Sequence, residues 1–168
     1  MSNQVYSNQD QKYYGQRGIS VWNLVGDQNV PQDAATHELI FQASPLYSQT
    51  DPGNFAFGLL GANRFTTLNE GMYSIKCVTS FSSDNAGEQN FVLQLRLVAG
   101  VGTANLQFID RIATRTGALN GGNVIASVGN TVFLPAQSTF DVQVQNALAG
   151  SLMTIQSNQT QMLFTKIA

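Results

Sequence analysis

The segment Phe91-Val-Leu-Gln-Leu-Arg-Leu-Val98 alternates apolar and polar side chains, and three further segments of the chain follow the same rule. Phe91, Leu93, Leu95 and Leu97 fall on one side of the run, Gln94 and Arg96 on the other. Successive side chains of a strand point to opposite faces, whereas a helix repeats about every 3.6 residues, so the pattern specifies half-buried sheet. No long stretch reads as an amphipathic helix. From about residue 37 onward the chain repeats this strand design, with no usual catalytic grouping laid over it.

Strand candidates follow one another at residues 37–41, 55–60, 71–81, 91–98, 106–112, 124–128, 131–134, 140–145, 152–155 and 162–167. In the third of these Tyr73, Ile75, Cys77 and Phe81 share a face. Turn signals separate the runs: Asp51-Pro52-Gly53, the polar stretch 82–87, the glycine-rich stretch 117–122 and Pro135. Short strands at intervals of roughly 8 to 15 residues are the signature of a sandwich or barrel. The expected fold class is all-β, a β-sandwich of about nine to ten strands with an extended N-terminal arm.

The arm is expected over residues 1–36 and the sandwich over residues 37–168. The first half of the arm sets Gln4, Gln9, Gln11 and Gln16 among Tyr6, Tyr13 and Tyr14, too polar to form a core segment alone. Its second half, Ile19-Ser-Val-Trp22-Asn-Leu24, holds the chain's one tryptophan. Such a segment either docks on a neighbouring subunit or folds back on its own domain, and both readings stand at this point. The first residues lack the basic start and apolar stretch of a signal peptide, and no apolar run approaches the roughly 20 residues a membrane helix needs. Synthesis in a host cytoplasm and no membrane partner are expected.

Composition narrows the partners. Eight basic and ten acidic residues give a net charge of −2, too little for strong attraction to nucleic acid or anionic lipid. The 32 Asn and Gln side chains cover the polar faces with amides, which hydrogen-bond without charge repulsion. That surface suits packing against copies of the chain or other subunits, and equally a neutral soluble exterior.

Candidate chemistry is sparse. His37 is the lone histidine, so every triad would have to pass through it, and it sits at a strand start beside Glu38. Cys77 shares a face with Tyr73 and Ile75 and reads as core. One His and one Cys cannot furnish a structural zinc site, and Asp84, Asn85 and Glu88 read as a solvated loop before a calcium site. The glycine-rich stretch lacks the Lys-Ser/Thr of a phosphate loop. Arg111 and Arg115 lie near each other, but residues 1–36 carry only Lys12 and Arg17, which speaks against a genome-packing tail. Asn158-Gln159-Thr160 is a glycosylation sequon, expected to go unused without a secretory signal. No cofactor, metal or catalytic residue is expected.

The strand order, with Phe65 six residues before Gly71-Met-Tyr73, resembles the trimeric jelly rolls of the tumour-necrosis-factor and complement globular-head superfamily. In that family an aromatic, a spacer and Gly-x-Tyr open a central strand, and a Gly-Asp-x-Val turn starts a later one. Gly129-Asn-Thr-Val132 stands in the second place, with Asn for Asp. The ending from Ser151 through Ile167 is similar to bacterial and viral members, and no collagen-like stalk precedes the head. The resemblance implies a ten-stranded jelly roll, a three-fold assembly around an apolar axis, and no chemistry. By fold analogy it implies a virion component: decoration, cement or penton, with a receptor- or glycan-binding head (fibre knob or adhesin) as the alternative. Tyr13, Tyr14, Trp22, Tyr73 and Phe91 are the expected oligomer and arm contacts. The expected partners are further copies of the chain, with a trimer favoured, and a major capsid or other virion protein held by the arm. A cell-surface receptor or glycan would then engage the loops 82–87 and 117–122.

Overall fold

A computed structural model describes residues 19–31, 33, 35–49, 55–58, 63–83, 89–99, 107–116, 123–146 and 152–167. Thirteen strands lie among them: β1 Ile19–Asn23, β2 Gln28–Val30, β3 Thr36–Glu38, β4 Tyr47–Gln49, β5 Phe55–Phe57, β6 Phe65–Thr67, β7 Gly71–Ser83, β8 Gln89–Ala99, β9 Gln107–Thr116, β10 Val124–Leu134, β11 Thr139–Asn146, β12 Met153–Ile155 and β13 Gln161–Lys166. Several are halves of one column. β12 and β13 run end to end along β7, with β2 and β1 outside them, while β3 and β6 share one side of β11. The result is two antiparallel sheets of five columns each. The first runs β10, β7, β12/β13, β2/β1, β4, and the second β5, β3/β6, β11, β8, β9. This is the expected jelly-roll sandwich.

The alternation read from the sequence assigns the inner faces. Phe91, Leu93, Leu95 and Leu97 of β8 are buried, as are Tyr73, Ile75, Cys77 and Phe81 of β7. Between the sheets Phe65 is the hub, its ring 4.8 to 5.6 Å from those of Phe57, Phe164, Phe41, Trp22 and Phe140. A second stack joins Phe81 and Phe91 at 4.1 Å. Offset and edge-on aromatic pairs add to the area they bury, so this cluster carries much of the fold. Cys77 lies inside the core, and burial pushes its thiol up to about 12, which makes it inert as a nucleophile.

Three expectations are corrected here. The sandwich begins before residue 37: β1 pairs with β13 and β4, and β2 with β12. Residues 124–128 and 131–134 are one strand, since β10 pairs continuously with β7 from Val124 to Leu134. Gly129-Asn-Thr-Val132 therefore lies mid-strand and starts no turn. The turn before β11 is made by residues 135–138, where Gln137 takes φ 62° and Thr67 donates its hydroxyl to the Pro135 carbonyl at 2.7 Å. Gly129 answers a different need. A Cβ there would lie 2.7 Å from the Ile75 carbonyl oxygen, so glycine lets β10 approach β7. The other motif holds, because Gly71 opens β7 and Tyr73 follows on its inner face.

Candidate interaction surface

The two outward faces of the sandwich differ in kind. On the second sheet Asp141, wholly buried, receives both Nε and Nη2 of Arg96 across the β8–β11 pair, Nε at 3.1 Å. Glu38 of β3 stands 3.5 Å from the same guanidinium. The Gln143 amide lies against the Gln94 amide (2.7 Å) and the Arg96 guanidinium (2.6 Å). This network spans three strands, and Asp141, Gln143 and Gln94 are buried within it. Linked polar groups of this kind rigidify the strands that carry them.

Electrostatics within it are uneven. Burial, followed by the charge and hydrogen bond of Asp141, pushes the Glu38 carboxyl up from 4.5, against smaller lowering contributions from Asn63 and Arg64. The pairing with Asp141 raises the Arg96 guanidinium. A carboxyl raised on folding binds its proton more tightly in the native state. Its stabilising contribution is therefore complete below pH 4.5 and is lost as pH rises through the folded value. Glu38→Gln should remove that loss. Comparing denaturant midpoints from pH 3.5 to 7, the variant gains on the wild type as pH rises; a wild type that gains instead would refute this reading.

The outward face of the first sheet is built otherwise. Inner-face residues occupy odd positions of β7 and even positions of β13, leaving Met72, Ser74, Lys76 and Val78, and Gln161, Leu163 and Thr165, outside. The registers align them in rows: Gly129, Lys76, Leu163, Val21; then Thr131, Ser74, Thr165, Ile19; then Ser127, Val78, Gln161, Asn23. Phe133 beside Met72 and Ile125 beside Ser80 complete it, 55% and 68% exposed. Lys76 is the one charged side chain among these residues. Small hydroxyls, amides and scattered aliphatics make a surface with little charge to desolvate, and low charge is one mark of interface centres.

At the edge of this face β9 reaches β10. Asp110 accepts the Gly129 N–H at 2.8 Å, and the Asn130 amide donates to the Ile109 carbonyl at 3.1 Å. Beside Gly129 lies an open groove of about 550 Å³ bordered by Ser74, Lys76, Asp110, Ser127, Asn130 and Thr131.

Of the expected contact residues, Trp22, Tyr73 and Phe91 are buried in the chain's own core and cannot reach a partner. Trp22 packs edge-on against Phe65 and donates its indole N–H to Ser20 Oγ at 3.2 Å. The Tyr73 hydroxyl donates to the Asn69 carbonyl at 2.6 Å and its ring faces the Lys166 ammonium. Tyr13 and Tyr14 lie outside the described residues, as do loop 117–122, Asp84, Asn85, Glu88 and most of loop 82–87. His37 is paired with Asp33 at 2.9 Å. Met72, Ser74, Lys76, Val78 and Leu163 lie on the outward side of strands whose inward side the alternation marks, and Val21 lies on a strand that the sequence presents as an apolar patch.

No protein-family model matches the chain, and no curated protein matches it in sequence. Its structure is similar to that of an Eiger TNF from S. frugiperda, with a TM-score of 0.62 and 14% identity over 91% of this chain and 94% of that one. It is also similar to murine APRIL at pH 5.0, with a TM-score of 0.62, 10% identity, and 89% and 98% of the two chains covered. The murine APRIL structure at pH 8.5 gives a TM-score of 0.60 at 13% identity, again over 89% and 98%. At these identities the likeness is one of fold: the chain has a TNF-like jelly roll.

Proposed function

We propose that this jelly roll is a non-enzymatic structural subunit of a virion surface, a decoration, cement or penton protein that self-associates, as a trimer in the favoured reading. The observation that carries the proposal is the contrast between the faces. One is sealed by its own ion network, and the other offers Ile19, Val21, Val78, Leu163, Met72 and Phe133 around a single charge. Association through the second face buries apolar area and many amide and hydroxyl groups, so it resists salt. Attachment to an underlying shell belongs to residues 1–18, the part of the expected arm that precedes β1. Three such arms on one assembly would turn weak contacts into lasting ones.

Light scattering on the full chain and on a chain lacking residues 1–18 tests both halves. The expected mass is three times 18.2 kDa for the full chain, with a truncated form that stays trimeric but no longer binds particles. Val78→Glu, at the centre of the face, should yield folded monomer. A monomeric wild type at micromolar concentration overturns the assembly. A truncated form that still binds particles, or that keeps binding a cell-surface glycan or receptor, moves the reading to a recognition head.

A further inference from the structure

The last outward row of the first sheet is apolar and open. Phe133 of β10, Met72 of β7 and Ile167, the residue after β13, stand side by side there, with the Ile167 N–H donating to the Met72 carbonyl at 2.8 Å. Phe133 is 55% exposed, Ile167 38%, and Ile19, one row in, 42%. Neither row holds a charged side chain, and Glu70, exposed two residues before Met72, makes no ion pair among the described residues. The N-terminal chain enters β1 at this same end of the face, since Ile19 lies opposite Thr165. What precedes it is Lys12-Tyr13-Tyr14-Gly15-Gln16-Arg17-Gly18, two adjacent aromatics with a basic residue on either side and two glycines before the strand. From Ile19 to Phe133 is three strand spacings, about 14 Å, and one row of about 7 Å along the strands. Tyr14 and Tyr13, five and six residues before Ile19, reach up to about 17 and 20 Å on an extended chain. Tyrosine rings bury large area, and methionine sulfur packs well against them. We propose that residues 12–17 of the same chain fold back across this row, the two tyrosines covering Phe133, Met72 and Ile167, with Lys12 and Arg17 toward Glu70.

The inference rests on the assembly reading and adds a control to it. Phe133 and Met72 belong to the face proposed to close against a second copy. A subunit whose own arm lies on them is withheld from association, and its apparent affinity falls by the fraction of subunits with the arm lifted. The same arm is the segment assigned above to the underlying shell. Uptake by the shell lifts it and opens the row, which directs assembly to the particle and keeps free subunits apart.

A disulfide trap tests the contact, and sedimentation tests its consequence. In the full chain carrying Tyr14→Cys and Thr131→Cys, mild oxidation should join the two within one chain, because a disulfide needs Cα atoms within roughly 7 Å. Cys77 is buried and does not compete. Adding Phe133→Ser should slow that bond severalfold; an unchanged rate reveals a tether without a seat and overturns the contact, as does a bond that fails to form. A bond between chains overturns the fold-back in favour of arms exchanged between copies. Removing residues 1–18, or introducing Tyr13→Ser with Tyr14→Ser, should tighten the dissociation constant for self-association about tenfold, the change expected when about nine subunits in ten are covered. A constant that neither change moves overturns the control while leaving the interface standing. A trap that closes within one chain while no form associates supports the fold-back and overturns the assembly reading instead.

Discussion

Phe65→Ala should lower the stability of the fold by about 3–5 kcal/mol, the range for truncating a fully buried aromatic. Its ring touches aromatics from both sheets, with centroids at 4.8 Å to Phe57, 4.9 Å to Phe164, 5.2 Å to Phe41, 5.4 Å to Trp22 and 5.6 Å to Phe140. Truncation removes the shared member of five pairs and opens a void that these rigid neighbours cannot fill by small shifts. Domains of this size are stable by about 5–15 kcal/mol, so the variant stands near the limit of folding. Urea denaturation followed by tryptophan fluorescence reads the effect, since Trp22 is one of the partners. A loss under about 1 kcal/mol would mean that the aromatic cluster collapses around the gap and is not the hub described here.

Asp141→Ala should cost a similar amount, about 3–5 kcal/mol, for the opposite reason. No hydrophobic packing is lost. Instead the Arg96 guanidinium, largely covered, loses its bidentate partner and keeps only the longer contact to Glu38 at 3.5 Å and the Gln143 amide. The diagnostic is the double variant Asp141→Ala with Arg96→Leu, which removes the stranded charge and should recover much of the loss. Chemical denaturation of the two single variants and the double closes the cycle. Additive losses would show that the pair is two independent contacts and that the network does not seal the face.

What the sequence displayed was the side of each strand that turns inward, because burial of one face imposes a period of two. Phe91 to Leu97 and Tyr73 to Phe81 could be placed on that basis alone. Where both faces are covered or apolar, the signal fades. Ile19-Ser-Val-Trp22 interleaves two sets, Ile19 and Val21 outward and Ser20 and Trp22 inward, and the sum reads as an apolar patch rather than a strand. Gly129-Asn130 has the composition of a turn, and only the 2.7 Å approach to Ile75 explains the glycine. The interaction face was the least legible part. It depends on which strands become neighbours and in what register, and alignments such as Lys76 with Leu163 join residues far apart in the chain.

That same distance governs when the molecule can exist at all. β1, from the start of the described chain, is sheltered between β4 and β13, and β13 ends at Lys166. The sheet cannot zip shut until residue 166 has cleared the ribosome. Until then the hydrophobic sides of β7 and β8 wait uncovered, in a topology whose distant pairings place folding in roughly the millisecond-to-second range. Chaperone engagement of the nascent chain, and a circular permutant in which a short linker runs from Ile167 to Ile19 so that β13 and β1 form a local hairpin, both address that interval. The permutant should fold faster than the natural order while keeping the same final structure.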